Sequence, residues 1–311
     1  MDDPFFCKVD IGSNPLNRPL SFFSPFGSLL LEETFFQVLF ALPHILKELP
    51  GLTYNVVGFT ERMLAGNRRG MPDSQRYKMY DAVIERKSDD DVNPLLILPG
   101  FMQKRECLER VANYYGSNGH TGKTFVVDLP THDGIALNAE RLAEDIQYIK
   151  RNSDYEQVSV LGYSMGGVQA RKVLQDDIDS IDIAVTLGAP HFGTLLASFV
   201  VGLEEKTRGF EHDLLVKASQ LFGLGGKCIE ELCYGSDFLL MLAKKDTAET
   251  LAKMINLYSK TDLVVLPHTS SVLAGARNID IEQTYGIKGV GHQRLVFNDV
   301  LYRYIGEMLQ K

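Results

Sequence analysis

The sequence predicts an α/β fold in which a mostly parallel sheet is covered by helices, with one long helical interruption. Three observations predict it. From residue 95 onward, short apolar runs of strand length alternate with amphipathic stretches of helical spacing, the pattern of parallel strands joined by crossover helices. The connections stay short until Gly188. Between Gly193 and Lys253 the alternation then stops for about sixty residues, far longer than an ordinary connection, which marks an insertion on the fold.

Taken in order, the expected strands are Leu95–Leu98, Thr124–Val127, Val158–Leu161, Ile183–Leu187, Met254–Tyr258 and Ile279–Glu282. Helices are expected near 104–115, 138–151, 166–176 and 294–310. In the second of these, Ala139, Leu142, Ala143, Ile146 and Ile149 fall on one face. Ahead of this core, residues 1–19 hold Pro4, Gly12, Pro15 and Pro19 without periodicity and read as irregular. Residues 20–57 are rich in Phe and Leu, interrupted by Glu32-Glu33 and Pro43. Neither apolar run reaches the ~18 residues of a spanning helix, so two short helices are expected. They form either an arm docked on the core or an element lying at a lipid interface. A polar, turn-rich connection follows at 66–76, then a strand at Tyr77–Glu85 and a charged turn at 86–91. The expected organisation is an N-terminal irregular segment and apolar arm (1–76), a core (77–193 and 254–311) and a helical cap or lid insertion (194–253).

The 311 residues are 45% hydrophobic and 23% charged, ordinary for a globular chain able to bury a sizeable core. A formal charge of −8 without any basic block argues against a nucleic-acid partner. Cys7, Cys107, Cys228 and Cys233 fit neither a disulfide framework nor a zinc pattern and read as buried free thiols. The acidic start, Met1-Asp2-Asp3-Pro4, stands where a secretory signal would be basic. An intracellular setting, cytoplasmic or organellar, is expected, with peripheral membrane contact through the arm or the insertion as an option.

The most informative stretch is Val158-Ser159-Val160-Leu161-Gly162-Tyr163-Ser164-Met165-Gly166-Gly167. A strand runs into Gly-x-Ser-x-Gly and out into a helical pattern, the context in which a serine sits on a sharp, strained turn with its hydroxyl exposed. Glycines are needed because the turn presses strand and helix together. A serine alcohol is a weak nucleophile and needs a base, itself oriented by an acid; in this architecture both follow the serine in the chain. His292, in Gly289-Val290-Gly291-His292, is the favoured base. His191, His212 and His268 are weaker, and His132 could line the mouth of the site. Asp262, after the strand Met254–Tyr258, is the favoured acid over Asp246 and Asp280. An oxyanion needs two N–H donors, each worth roughly 3 kcal/mol of barrier. Met165, after the serine, and Phe101, in Pro99-Gly100-Phe101-Met102, are expected to supply them.

These residues resemble the α/β-hydrolase-fold lipases, particularly small bacterial lipases and related esterases. The likeness is carried by Leu95-Leu96-Ile97-Leu98-Pro99-Gly100-Phe101, by Gly162–Gly167, by Leu187-Gly188-Ala189-Pro190-His191-Phe192-Gly193-Thr194, and by Tyr258-Ser259-Lys260-Thr261-Asp262 through Gly291-His292. It covers about residues 92–192 and 254–305. The resemblance implies hydrolysis of carboxylic esters of lipids or similar apolar acyl compounds, through an acyl-enzyme and without a cofactor or metal. Ser164 would be the nucleophile, His292 the base, Asp262 the orienting acid, and Phe101 and Met165 the oxyanion donors. Gly100 and His191 are expected at the substrate-binding site, His191 in a structural or pocket-lining role. Many members have His-Gly where this chain has Pro99-Gly100. Two other readings stay open: a thioesterase or acyltransferase using the same acyl-enzyme, and a hydrolase-fold lipid-binding protein without turnover.

Overall fold

The computed structural model describes residues 92–309 apart from 102, 104, 119–122, 128, 130–132, 154 and 208–225. The N-terminal irregular segment, the apolar arm, the strand at 77–85, His120, His132 and His212 lie outside the described residues. The order of elements is β1 (Leu95–Leu98), α1 (Glu109–Asn118), β2 (Thr124–Val126), α2 (Ile135–Arg151), β3 (Val158–Tyr163), α3 (Met165–Asp176) and β4 (Ile181–Leu187). Then come α4 (Leu195–Thr207), α5 (Lys227–Glu231), α6 (Asp237–Lys245), α7 (Ala248–Ala252), β5 (Met254–Tyr258), β6 (Arg277–Asp280), α8 (Ile281–Tyr285), α9 (His292–Val296) and α10 (Asp299–Leu309).

The described strands form one parallel sheet in the order β2-β1-β3-β4-β5-β6. Leu95 pairs with Thr124 on one side and Ser159 on the other, and Leu161 pairs with Val185. Because side chains alternate along a strand, β1 splits its four apolar residues between two cores. Leu95 and Ile97 join Leu161, Val185 and Leu257 against Val111, Tyr115, Leu301 and Ile305 of α1 and α10. Leu96 and Leu98 join Val158, Val160 and Ala184 against Leu142 and Ile146 of α2 and Val173 and Leu174 of α3. The strands read as unbroken apolar runs for this reason: both faces are covered.

The sheet reverses direction of winding between β1 and β3, with β2 outside one and β4 outside the other. In such sheets the crevice beyond the strands' C-terminal ends at the switch point is the natural ligand site. The loops after β1, β3 and β5 open there.

Two expected elements differ. The run Ile279–Glu282 is not a strand throughout: β6 ends at Asp280, whose carboxylate accepts the Glu282 and Gln283 N–H groups and starts α8. A capping aspartate overrides the β propensity of the isoleucines around it. The expected helix at 294–310 is two, α9 and α10, parted at Phe297-Asn298; the Asn298 side chain accepts the Val300 and Leu301 N–H groups and opens α10. Cys228 is buried as expected, whereas Cys107 is exposed. Among the described residues no helix is long and apolar enough to cross a membrane.

Candidate active site

The turn after β3 is built by steric exclusion. Ser164 has φ 53°, the one positive φ of a non-glycine among the described residues, a conformation that costs free energy unless its surroundings hold it. The surroundings do: the Ser164 N–H donates to Leu187 O at 2.9 Å, tying the turn to β4. A Cβ on Gly162 would come within 2.7 Å of the Gly167 backbone, and one on Gly166 within 2.7 Å of Leu98 O. Only glycine lets β3, α3 and the end of β1 meet this closely.

The structure brings Ser164, His292 and Asp262 together. Ser164 Oγ is 3.0 Å from His292 Nε2, and His292 Nδ1 is 2.6 Å from Asp262 Oδ2. An ionised carboxylate only accepts hydrogen bonds, so Nδ1 carries the proton and Nε2 offers its lone pair to the serine hydroxyl. The other Asp262 oxygen accepts the Val264 N–H at 2.8 Å and the Val265 N–H at 3.0 Å. Asp262 is therefore a turn aspartate and a histidine partner at once. His292 begins α9, and all three side chains are buried, with Ser164 retaining 8% exposure.

Met165 is the first residue of α3, where N–H groups have no partner within the helix. The loop after β1 lies alongside, since a Cβ on Gly100 would be 3.1 Å from Ser164 Cβ. Gly100 N–H donates to Gln103 Oε1, and Gln103 N–H donates to Gly100 O, closing a turn around the half-buried Phe101. Among the described residues no group of His, Cys, Asp and Glu has the makings of a metal site.

Of the two roles expected for His191, structural or pocket-lining, its packing fits the structural one. It is fully buried, with Nε2 at 3.1 Å from Asn256 Oδ1 and 3.4 Å from Thr186 Oγ1. Its carbonyl accepts from Arg171 Nη1 at 2.9 Å. Burial above all, then the Arg171 charge, pushes its pKa well below the usual histidine value, with the Asn256 contact opposing. A ring committed to the core in this way cannot face a substrate. The alternatives to Asp262 lie elsewhere: Asp280 pairs with Lys260 at 2.7 Å, and Asp246 pairs with Arg171. His268 is half-buried at the start of a 3-10 turn.

Sequence reasoning passed over two contributors. Tyr163 packs its ring against His292, centroids 5.0 Å apart. Gly188, at φ 56°, sits under the acid–base contact, where a Cβ would be 3.1 Å from Asp262 Oδ2 and 3.2 Å from His292 Nδ1. Both stand inside stretches that carry the resemblance, where neither was given a role.

Residues 61–210 match the family model for the alpha/beta hydrolase fold, and residues 141–300 match that of lipase (class 2). Among solved structures, the mature lipase BlEst2 of Bacillus licheniformis superposes with a TM-score of 0.56 at 15% identity, covering 73% of this chain and 95% of that one. The propeptide form of the same lipase gives 0.56 at 16% identity, covering 73% and 52%. No curated protein matches the chain. With a family model spanning more than half its length and the fold shared with a bacterial lipase, the chain belongs to the class 2 lipases of the α/β-hydrolase fold.

Proposed function

We propose that the protein hydrolyses carboxylic esters of lipids or other apolar acyl compounds, with Ser164 as nucleophile, His292 as general base and Asp262 as the orienting acid. The observation that carries this reading is the continuous chain Ser164 Oγ–His292 Nε2 at 3.0 Å and His292 Nδ1–Asp262 Oδ2 at 2.6 Å, set on a strained turn at a helix N-terminus. As Ser164 Oγ attacks the ester carbonyl, His292 Nε2 takes its proton, and Asp262 balances the imidazolium that forms. The oxyanion is received by the Phe101 and Met165 N–H groups. His292 then hands its proton to the leaving alkoxide, and a water, activated the same way, releases the acid.

The apolar preference is supported by the buried apolar cluster that packs beside the serine turn. Ile135, Met165 and Val168 pack with Ala197, Cys228, Ile229 and Leu232 from the insertion, with Phe101, Val200 and Val201 half-buried at the margin. A site beside such a cluster offers an acyl chain apolar neighbours.

The test treats wild type and Ser164→Ala with a fluorophosphonate and then measures p-nitrophenyl esters of increasing chain length. Wild type is expected to label and turn over, with an optimum beyond acetate, and Ser164→Ala to do neither. Persistent labelling of Ser164→Ala would show that another residue is the nucleophile. Labelling without ester turnover would favour a thioesterase or acyltransferase. A rate that jumps when substrate passes its solubility would assign the insertion an interfacial role, and a smooth saturating curve would remove it.

A further inference from the structure

We propose that Thr194 is a positioning residue for Asp262, acting through the Val264–Val265 peptide; this rests on the reading of Ser164, His292 and Asp262 given above. Thr194 closes the Gly-Ala-Pro-His-x-Gly-Thr block and is the first residue of the insertion. Its hydroxyl is buried, donates to Val264 O at 2.6 Å, and accepts the Leu196 and Leu266 N–H groups, each at 3.3 Å. One donor and two acceptor sites are all a hydroxyl has, so the side chain is fully committed.

The Val264 carbonyl and the Val265 N–H belong to one rigid peptide unit. Thr194 holds the oxygen end of that unit, and the N–H end donates to Asp262 Oδ1 at 3.0 Å. The plane is thus pinned from both sides, and a hydrogen bond to its carbonyl strengthens its N–H as a donor. Asp262 Oδ2, the other oxygen of the same carboxylate, holds His292. Thr194 is itself held by the backbone: its N–H donates to Leu232 O within the insertion, and the next N–H, of Leu195, donates to Leu266 O at the end of the acid loop, both at 2.8 Å. Without the hydroxyl, the 264–265 plane loses the anchor on its oxygen end and is held only from the N–H side. One of the carboxylate's two backbone donors is then less firmly placed, and His292 loses a fixed partner. The partner contacts of Thr194 on the insertion side also mean that the seat of the insertion and the seat of the acid share one side chain.

The experiment compares Thr194→Val, which keeps the shape and removes the hydroxyl, with Thr194→Ser, which keeps the hydroxyl. Both are titrated with fluorophosphonate so that rates refer to competent enzyme. For Thr194→Val, kcat on a soluble p-nitrophenyl ester is expected to fall about 10- to 100-fold, the scale of a small misplacement of a catalytic group, with KM little changed. The acid limb of its kcat/KM profile is expected to move to lower pH by about half a unit, because a loosened carboxylate stabilises the imidazolium less. Thr194→Ser is expected to restore both. Lower activity with an unmoved limb, or a wild-type kcat, would overturn the proposal. If Thr194→Val does not fold, Thr194→Ala is read in its place; if neither hydroxyl-free variant folds, the residue is structural and the proposal fails. Ser164→Ala in the same series separates the two levels. Turnover by Ser164→Ala sinks the triad reading, whereas an inert Ser164→Ala beside a fully active Thr194→Val sinks only the role of Thr194.

Discussion

The segments that carry Ser164, Asp262 and His292 and the insertion packed beside them are held by different means. Ser164 and Asp262 follow the ends of β3 and β5, and His292 opens α9 beyond the short helix α8; backbone groups fix the first two, Leu187 O receiving the Ser164 N–H and the Val264 and Val265 N–H groups holding Asp262. The insertion has no strand beneath it. Its described part rests on one apolar patch centred on Met165 and Val168 and on polar fastenings to the core, with backbone ones such as Leu195 N–H to Leu266 O and Gly235 N–H to Phe192 O among them. Thr194 ties its start to the acid loop, Glu231 accepts the Ile135 N–H at the start of α2, and Asp246 grips Arg171 of α3 at 3.0 and 2.5 Å. The difference teaches that the serine and the acid are set chiefly by backbone groups, whereas the insertion adds long-range side-chain contacts to its backbone ones.

Four perturbations test that contrast, from the largest effect to the smallest. His292→Ala should lower kcat by about 10⁶-fold, the loss expected when a member of a unit is removed, while leaving the thermal unfolding midpoint near that of wild type. A large fall in the midpoint would mean that His292 is a structural part of the sheet edge. Arg171→Met should do the reverse. It leaves Asp246 without the partner of a pair in which Arg171 is 1% exposed, at a cost of about 3–5 kcal/mol, read by urea unfolding. Adding Asp246→Leu should recover much of that loss, and a double variant no better than the single one would show that the pair is not what matters.

The third prediction concerns pH. Folding holds His191 neutral with its pKa depressed by burial, whereas in the unfolded chain it protonates near 6.5. The unfolded state therefore binds more protons below that pH. The stability this histidine contributes is complete above pH ~6.5 and declines as pH falls, by up to about 1.4 kcal/mol per unit. Urea midpoints at pH 7.5 and 5.5 check it, and His191→Gln should flatten the slope. Smallest is Glu231. Glu231→Ala removes the acceptor for the Ile135 N–H and should cost about 1 kcal/mol, the scale of a helix cap. Glu231→Gln should cost less, because burial holds the carboxyl above its usual pKa and makes its charge a burden rather than a gain. Equal losses in the two variants would show that the charge is needed.

Much of the core was legible because its signals are local. The strands Leu95–Leu98 and Met254–Tyr258 stand at their expected limits, since an apolar run short enough for a strand and flanked by turn residues leaves little choice. The elements that were misread had competing local signals. Asp280 ended a β-like run by capping α8, and Asn298 split one helical pattern into two. His191 shows another limit. It stands in a lipase-like block, yet position in a motif does not say which way a ring points, and Asn256, which binds it, lies 65 residues away.

The sequence by itself determined the alternation of strands and helices, the strained serine turn and the order of serine, acid and histidine along the chain. Those properties depend on residue period, on glycine where no Cβ fits, and on chain order, all of which are carried by neighbouring letters. The tertiary structure alone decided that Arg171 meets Asp246, that Glu231 meets the start of α2, and that Thr194 reaches the peptide holding Asp262. Each of those contacts joins residues 70 to 96 positions apart. A buried polar side chain takes whichever partner the packed elements bring within about 3 Å, and that neighbour is set by the sheet order rather than by any pattern in the chain.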